Sequence, residues 1–174
     1  MGMLDGKVAV VTGAGGGIGR ATAIALAANG AQVVVNDVGA SVTGEGHDDG
    51  PAHRVVAEIT QANGAGRAVA NGGSVSSWDD AQAMVKQAID SFGRIDMVVN
   101  NAGILRDRMF HYMSPEEFDA VMKVHLYGAF YVSRAAVTLL ERHMDPAEAW
   151  AVMGGFYGVM GGVFYFAATR RRRG

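Results

Sequence analysis

Eight residues near the head of the chain, Thr12-Gly13-Ala14-Gly15-Gly16-Gly17-Ile18-Gly19, carry its strongest chemical signal. Gly13 lets the backbone turn out of a strand, and the glycines at 15–17 remove side chains where that backbone would approach a ligand. A helix starting behind such a turn aims its free N–H groups and the positive end of its dipole at the ligand, which suits an anion such as a pyrophosphate. A glycine-rich turn on its own is only a turn; a strand before it and a helix after it make it a phosphate loop. Asp37 ends a second apolar run eighteen residues beyond Gly19. A carboxylate there accepts hydrogen bonds from the adenosine ribose and repels a 2′-phosphate. It can equally cap its own loop. No Arg or Lys stands at positions 16 or 38, where a 2′-phosphate would want a cation. The pattern therefore predicts NAD as cofactor rather than NADP. His47, Asp48, Asp49 and His53 have the residue types of a metal site, but polar loops commonly share that composition, and no metal is expected.

The elements that must position these residues follow from periodicity. Lys7–Thr12 and Gln32–Asp37 are short β-branched runs that read as buried parallel strands. Between them Ile18, Thr22, Ala25, Leu26 and Asn29 fall on one helical face, closed by Gly30. A polar loop, 38–50, leads to a helix with Pro51 in its first turn, running to about Asn63. Gly66–Ala70 is a weaker third strand. Ser76 or Ser77 caps a helix whose stripe is Trp78, Ala81, Met84, Val85, Ala88, Ile89 and Phe92, stopped by Gly93. Ile95–Asn100 is the fourth strand. Ser114-Pro115-Glu116-Glu117 is a capping box that opens a helical stretch to about His143. This alternation predicts an α/β fold with a parallel sheet covered by helices on both faces.

With these elements in place, Thr12-Gly-x-x-x-Gly17-x-Gly19 and Asn100-Asn101-Ala102-Gly103 together resemble the short-chain dehydrogenase/reductase family. Four further stretches are similar to the (3R)-hydroxyacyl-CoA dehydrogenases of multifunctional β-oxidation enzymes and their bacterial relatives. They are Asn36-Asp37-Val38-Gly39, Ala70-Asn71, Gly103-Ile104-Leu105-Arg106-Asp107-Arg108 and Val124-His125-Leu126-Tyr127-Gly128. The likeness covers residues 4 to about 142. It implies a doubly wound Rossmann fold and an NAD-dependent oxidoreductase acting on a hydroxyl/carbonyl pair, with a 3-hydroxyacyl thioester as one candidate substrate. It places Gly13, Gly17, Ile18, Gly19, Asp37, Asn71, Asn101, Ala102 and Gly103 along the cofactor. His125 falls where most members carry an asparagine that holds a proton-relay water; a histidine packed or capped locally is the bland alternative.

The resemblance breaks in the tail. The family's chemistry uses a tyrosine, a lysine four residues later that lowers the tyrosine's pKa, and a serine thirteen residues before it. Here the lysines are Lys7, Lys86 and Lys123, and none follows a tyrosine by four. Aligning Gly155-Phe156-Tyr157-Gly158 and Tyr165-Phe166-Ala167-Ala168 on the family's stretch gives Tyr165 the tyrosine position, with Thr169 for lysine and Val152 for serine. Pro146 and the carboxylates Asp145 and Glu148 suit a buried fifth strand poorly. The expectation is a dinucleotide-binding domain over 1–144, incomplete at its C-terminal side, and an atypical tail over 145–174. Turnover is expected to be impaired, the alternative being an NAD-binding module or inactive fragment. Two other readings of the tail stay open. It is the product of a reading-frame change, or the uncharged run Ala149–Thr169 ahead of four arginines is a membrane anchor.

Bulk properties set the outer bounds. With 174 residues, 49% of them apolar, and a net charge of −2, the chain reads as one soluble domain with no nucleic-acid partner. The absence of cysteine excludes disulfides and thiolate metal sites and suits a reducing cytoplasm. No signal peptide is read in the N-terminal residues. A small-molecule substrate is expected as partner. A homo-oligomer is compatible with Phe130, Val132, Ala135, Ala136 and Leu139 on the last helix.

Overall fold

The structure is a computed structural model that describes residues 2–41, 43–46 and 50–143. The chain divides into two units, Met1–Ala136 and Val137–Gly174. Within the second, residues 137–143 continue a helix begun in the first. The tail segments, Tyr165 included, lie outside the described residues, as do His47, Asp48 and Asp49.

Four parallel strands, β1 (Val8–Thr12), β2 (Gln32–Asn36), β3 (Ala68–Asn71) and β4 (Met97–Val99), form a sheet in the order β3-β2-β1-β4. The helices between them are α1 (Gly17–Ala28), α2 (Gly50–Asn63) and α3 (Trp78–Phe92). β1 and most of β2 are fully buried, which is why they read as unbroken valine runs rather than alternating ones. Val11, Val33 and Val35 form one core with Ala23 and Ala27 of α1 and Ala52, Val55 and Ile59 of α2. Val10 and Val34 alternate to the opposite face of the sheet, and α3 packs against β1 and β2. Helices thus cover both faces, as the doubly wound reading requires.

The boundary signals operate as expected at α3, where the Ser77 side chain accepts the Asp80 N–H and Gly93 ends the helix in the left-handed conformation. The buried stripe of α3 is Ala81, Met84, Val85 and Ala88. Ser114 and Glu117 form the reciprocal capping box of α4 (Pro115–Met122). One expectation needs correction. The face of α1 that packs inward is Gly19, Ala23 and Ala27, while Ile18 is 79% exposed. Small residues win there because they let the helix lie close to the sheet. The largely helical stretch after Ser114 runs to His143 as expected, with a π-helical turn at Lys123–Tyr127 between α4 and α5 (Gly128–His143).

At the end of the sheet opposite the glycine loop, the buried Asp96 carboxylate accepts the Val8 N–H at 2.9 Å and pairs with Lys7 and Arg94. Burial pushes its pKa up, but the hydrogen bonds from Arg94, Val8 and Lys7 outweigh burial and hold it below the ordinary aspartate value.

Candidate functional site

In a sheet ordered β3-β2-β1-β4, the chain leaves β1 toward one side and reaches β4 on the other. A cleft opens at the C-terminal ends of the strands at that switch point. In this chain it measures about 570 Å³, within the range of ligand pockets, and its walls include Gly15, Gly17, Asp37, Val75, Ala102 and Ile104.

The floor is one hydrogen-bonded lock between the β1 and β4 ends. Thr12, 1% exposed, accepts the Asn101 and Ala102 N–H groups on its hydroxyl, both at 3.0 Å. The Asn101 amide returns two bonds, to the carbonyls of Thr12 and Gly13, each 3.0 Å. Gly13 has φ +62°, and a Cβ there would sit 2.8 Å from Ala102 Cα. A Cβ on Gly19 would lie 2.2 Å from the Gly13 carbonyl oxygen, so Gly19 is needed for helix-to-loop contact rather than for reaching a ligand. At Gly16 and Gly17, by contrast, a Cβ would meet nothing within 4 Å. That empty space in front of the first turn of α1 is the shape a diphosphate needs.

Asp37 is half-buried and already engaged. Its carboxylate accepts the Gly15 N–H at 2.8 Å and the Gly39 N–H at 2.7 Å. The loop-capping reading of this residue is thus met by two backbone bonds, and since a carboxylate offers about four acceptor positions, two stay open toward the cleft. The loop after β2 reaches across to the turn after β4. A Cβ on Gly44 would come 3.0 Å from Ile104, and Glu45 pairs with Arg106 at 3.5 Å.

The sequence-derived residues separate into groups. Gly13, Gly17, Asp37, Asn101, Ala102 and Gly103 line the cleft. Ile18 is exposed at the start of α1, outside the lining. Asn71 is not in the lining either: it accepts from the Asn36 amide at 2.8 Å and donates to Gln87 at 2.8 Å, pinning the ends of β2 and β3. His125 sits on the π-turn against the turn after β4. Its Nε2 lies 3.1 Å from the Ile104 N–H and 2.9 Å from the Ile104 carbonyl, accepting from one or donating to the other according to tautomer. Its neighbour Val124, not His125, lines the cleft.

Residue-type reasoning gave no cleft role to several liners. Arg54, on α2, faces the cleft although no cation stands at 16 or 38. Val75 supplies an apolar wall with no motif around it, and Val38, quoted only as part of a motif, supplies another. No sequence signal marks Arg54, whose place beside the loop depends on the packing of α2. Among the described residues no three His, Cys, Asp or Glu gather as a metal site, and no helix is long and apolar enough to cross a membrane. On α5, Val132, Ala135 and Ala136 are buried, so they serve the core and cannot pair two copies, while Phe130 is 51% exposed.

Comparison with known proteins gives this geometry a setting. A family model described as short chain dehydrogenase matches residues 7–168. The chain is 47% identical over 169 residues to the mouse (Mus musculus) peroxisomal multifunctional enzyme type 2, covering 94% of this chain and 22% of that protein. It superposes on a crystal structure of a short chain dehydrogenase from Mycobacterium avium with TM-score 0.73 and 51% identity, covering 82% of this chain and 50% of that one. A 7α-hydroxysteroid dehydrogenase in complex with NADH and 7-oxo glycochenodeoxycholic acid matches with TM-score 0.70 and 34% identity, over 80% of this chain and 50% of that one. The chain thus spans half or less of the length of these relatives.

Proposed function

Because this chain belongs to the short-chain dehydrogenase family, we propose that its cleft binds NAD(H) in the service of hydride exchange with a hydroxyl/carbonyl pair. A 3-hydroxyacyl thioester is the candidate substrate, and the 174-residue chain as written turns over poorly. The observation that carries the reading is the Thr12–Asn101 lock. It fixes the glycine loop and the Asn101-Ala102-Gly103 turn on two sides of one cleft, with Asp37 at its end.

The nicotinamide supplies the hydride chemistry when the dinucleotide is bound. The rest belongs to this chain's own residues. Free N–H groups at Gly16 and Gly17 suit the diphosphate, the remaining acceptor positions of Asp37 suit the ribose hydroxyls, and Val38, Val75 and Ile104 provide apolar contact for the adenine. His125 steadies the Gly103–Ile104 turn. Preference for NAD over NADP rests on the charge of Asp37. The thioester reading rests on the motifs around Asn36, Ile104 and His125 and on the likeness to the mouse multifunctional enzyme. Weak turnover rests on the missing lysine, which favours a second reading, a dinucleotide-binding module without catalysis.

A cysteine-free chain fits a reducing compartment such as the cytoplasm; the mouse relative is by name peroxisomal. The exposed Phe118, Leu126, Tyr127 and Phe130 along the helices after Ser114 form the surface for self-association.

Two measurements test the proposal. Titration calorimetry should detect NAD(H) binding to the purified chain, and absence of any dinucleotide binding would end the cleft assignment. An absorbance assay of NAD reduction over alcohols and 3-hydroxyacyl thioesters should show little turnover. Robust turnover that disappears in Tyr165→Phe would overturn the impaired reading and place Tyr165 in a working active site.

A further inference from the structure

We propose that Arg54 is a specificity-determining residue of the cleft. Delivered from α2, it offers a cation to a 2′-phosphate on the adenosine ribose, so the chain discriminates only weakly against NADP(H) despite Asp37. The inference rests on reading the cleft as a dinucleotide site.

Three observations bring Arg54 to that end of the cleft. First, Arg54 and Asp37 line the same cleft. Second, α2 abuts the glycine loop, since a Cβ built on Gly15 would come 2.6 Å from Pro51 Cβ and 2.8 Å from the Asp37 carboxylate. Third, Arg54 lies on the exposed side of α2, next to the edge that pairs with α1, while Ala52, Val55 and Ile59 face the core. Glu58, one turn further on, holds the Arg20 guanidinium at 2.6 and 3.1 Å. Positions four apart share a helix face, so Arg54 stands one turn nearer the loop than that ion pair.

Charge completes the argument. Among the described residues Arg54 has no carboxylate partner, whereas Asp37 already accepts two backbone N–H groups that offset part of its charge. The repulsion a 2′-phosphate meets from Asp37 is thereby reduced, and a guanidinium is the side chain best matched to a phosphate, through paired charge-assisted hydrogen bonds. Sequence inspection at positions 16 and 38 cannot reveal this cation, because it arrives from a different element.

The test compares wild type, Arg54→Ala and Arg54→Lys in equilibrium binding of NAD+, NADP+, adenosine 5′-monophosphate and adenosine 2′,5′-bisphosphate. Arg54 is exposed on its helix, so the substitutions leave the core untouched. Wild type should bind NADP+ within about tenfold of NAD+. Arg54→Ala should weaken NADP+ and the bisphosphate by about tenfold or more while changing NAD+ and the monophosphate by less than about threefold. Arg54→Lys should restore part of the loss. Parallel losses for probes with and without the 2′-phosphate, or no loss for either, would overturn the proposal while leaving the cleft assignment intact. Failure of wild type to bind any of the four would remove the cleft assignment and the proposal with it.

Discussion

The Asp37 carboxylate holds the Gly15 and Gly39 N–H groups before it meets any ribose, so replacing it removes an internal brace together with a ligand contact. Asp37→Ala should cost NAD(H) affinity on the order of 1–3 kcal/mol and shift the NAD/NADP ratio toward NADP. Calorimetry with both cofactors separates the effects, since loss of the brace weakens both and loss of the charge favours only the one with a 2′-phosphate. An unchanged ratio would mean the carboxylate is a loop cap and nothing more. Asp96 gives a prediction at the far end of the sheet. Its folded pKa is depressed, so its contribution to stability is fully present above the unfolded value, near pH 4, and is lost as the pH falls through the lower folded value. Asp96→Asn should destabilise the protein by about 1–3 kcal/mol at pH 7 and flatten its stability profile below pH 4, read from urea midpoints at several pH values. Asp37 was legible because its place after a strand has meaning in one dimension. Arg54 was not, because its position beside the loop exists only after α2 has packed on α1.

Helices and turns with strong local codes were legible at the scale of the element. Ser77, Gly93 and the Ser114–Glu117 box set their boundaries by bonding to their own backbone, which neighbouring sequence shows directly. The buried face of α1 was misread because apolar size was taken as the guide, whereas close approach to the loop admits only Gly19 and alanines there. The π-turn at Lys123–Tyr127 had no periodic signature. It holds His125 against the Gly103–Ile104 turn, and π-turns recur at functional sites. His125→Ala should loosen that turn and weaken NAD(H) binding by several-fold, seen as faster amide exchange at Gly103 and Ile104; unchanged exchange would mean the histidine holds nothing. In the phosphate loop, Gly17→Val places a branched side chain in the empty space before α1 at φ +52°. It should reduce NAD(H) affinity by more than about tenfold, with about 1–2 kcal/mol of backbone strain. Normal binding by this variant would refute the loop assignment.

For the molecule as a whole, alternating strand and helix patterns were enough to read the parallel sheet, but not to fill the site. If the tail lacks the serine and lysine as its sequence reads, Thr169→Lys alone should not restore turnover. Grafting the second half of the Mycobacterium avium protein after Met144 should restore it, and an inactive graft that binds NAD normally would point to a fault within residues 1–144. The sheet order also gives the site a history in time. β1 pairs with β2 across a short span, Val8 with Gln32, whereas the Thr12–Asn101 lock joins residues 89 apart. On a ribosome adding about 5–20 residues per second, Asn101 follows Asn36 by roughly 3–13 s. Throughout that interval a nascent chain owns a phosphate loop whose Thr12 and Gly13 carbonyls still lack their Asn101 bonds, and no second wall for a dinucleotide to touch. Arrested nascent chains of increasing length should therefore gain NAD-dependent protection from protease only once Gly103 has emerged. The cofactor is a late witness to folding, able to hold the finished cleft but not to guide the strands that begin it.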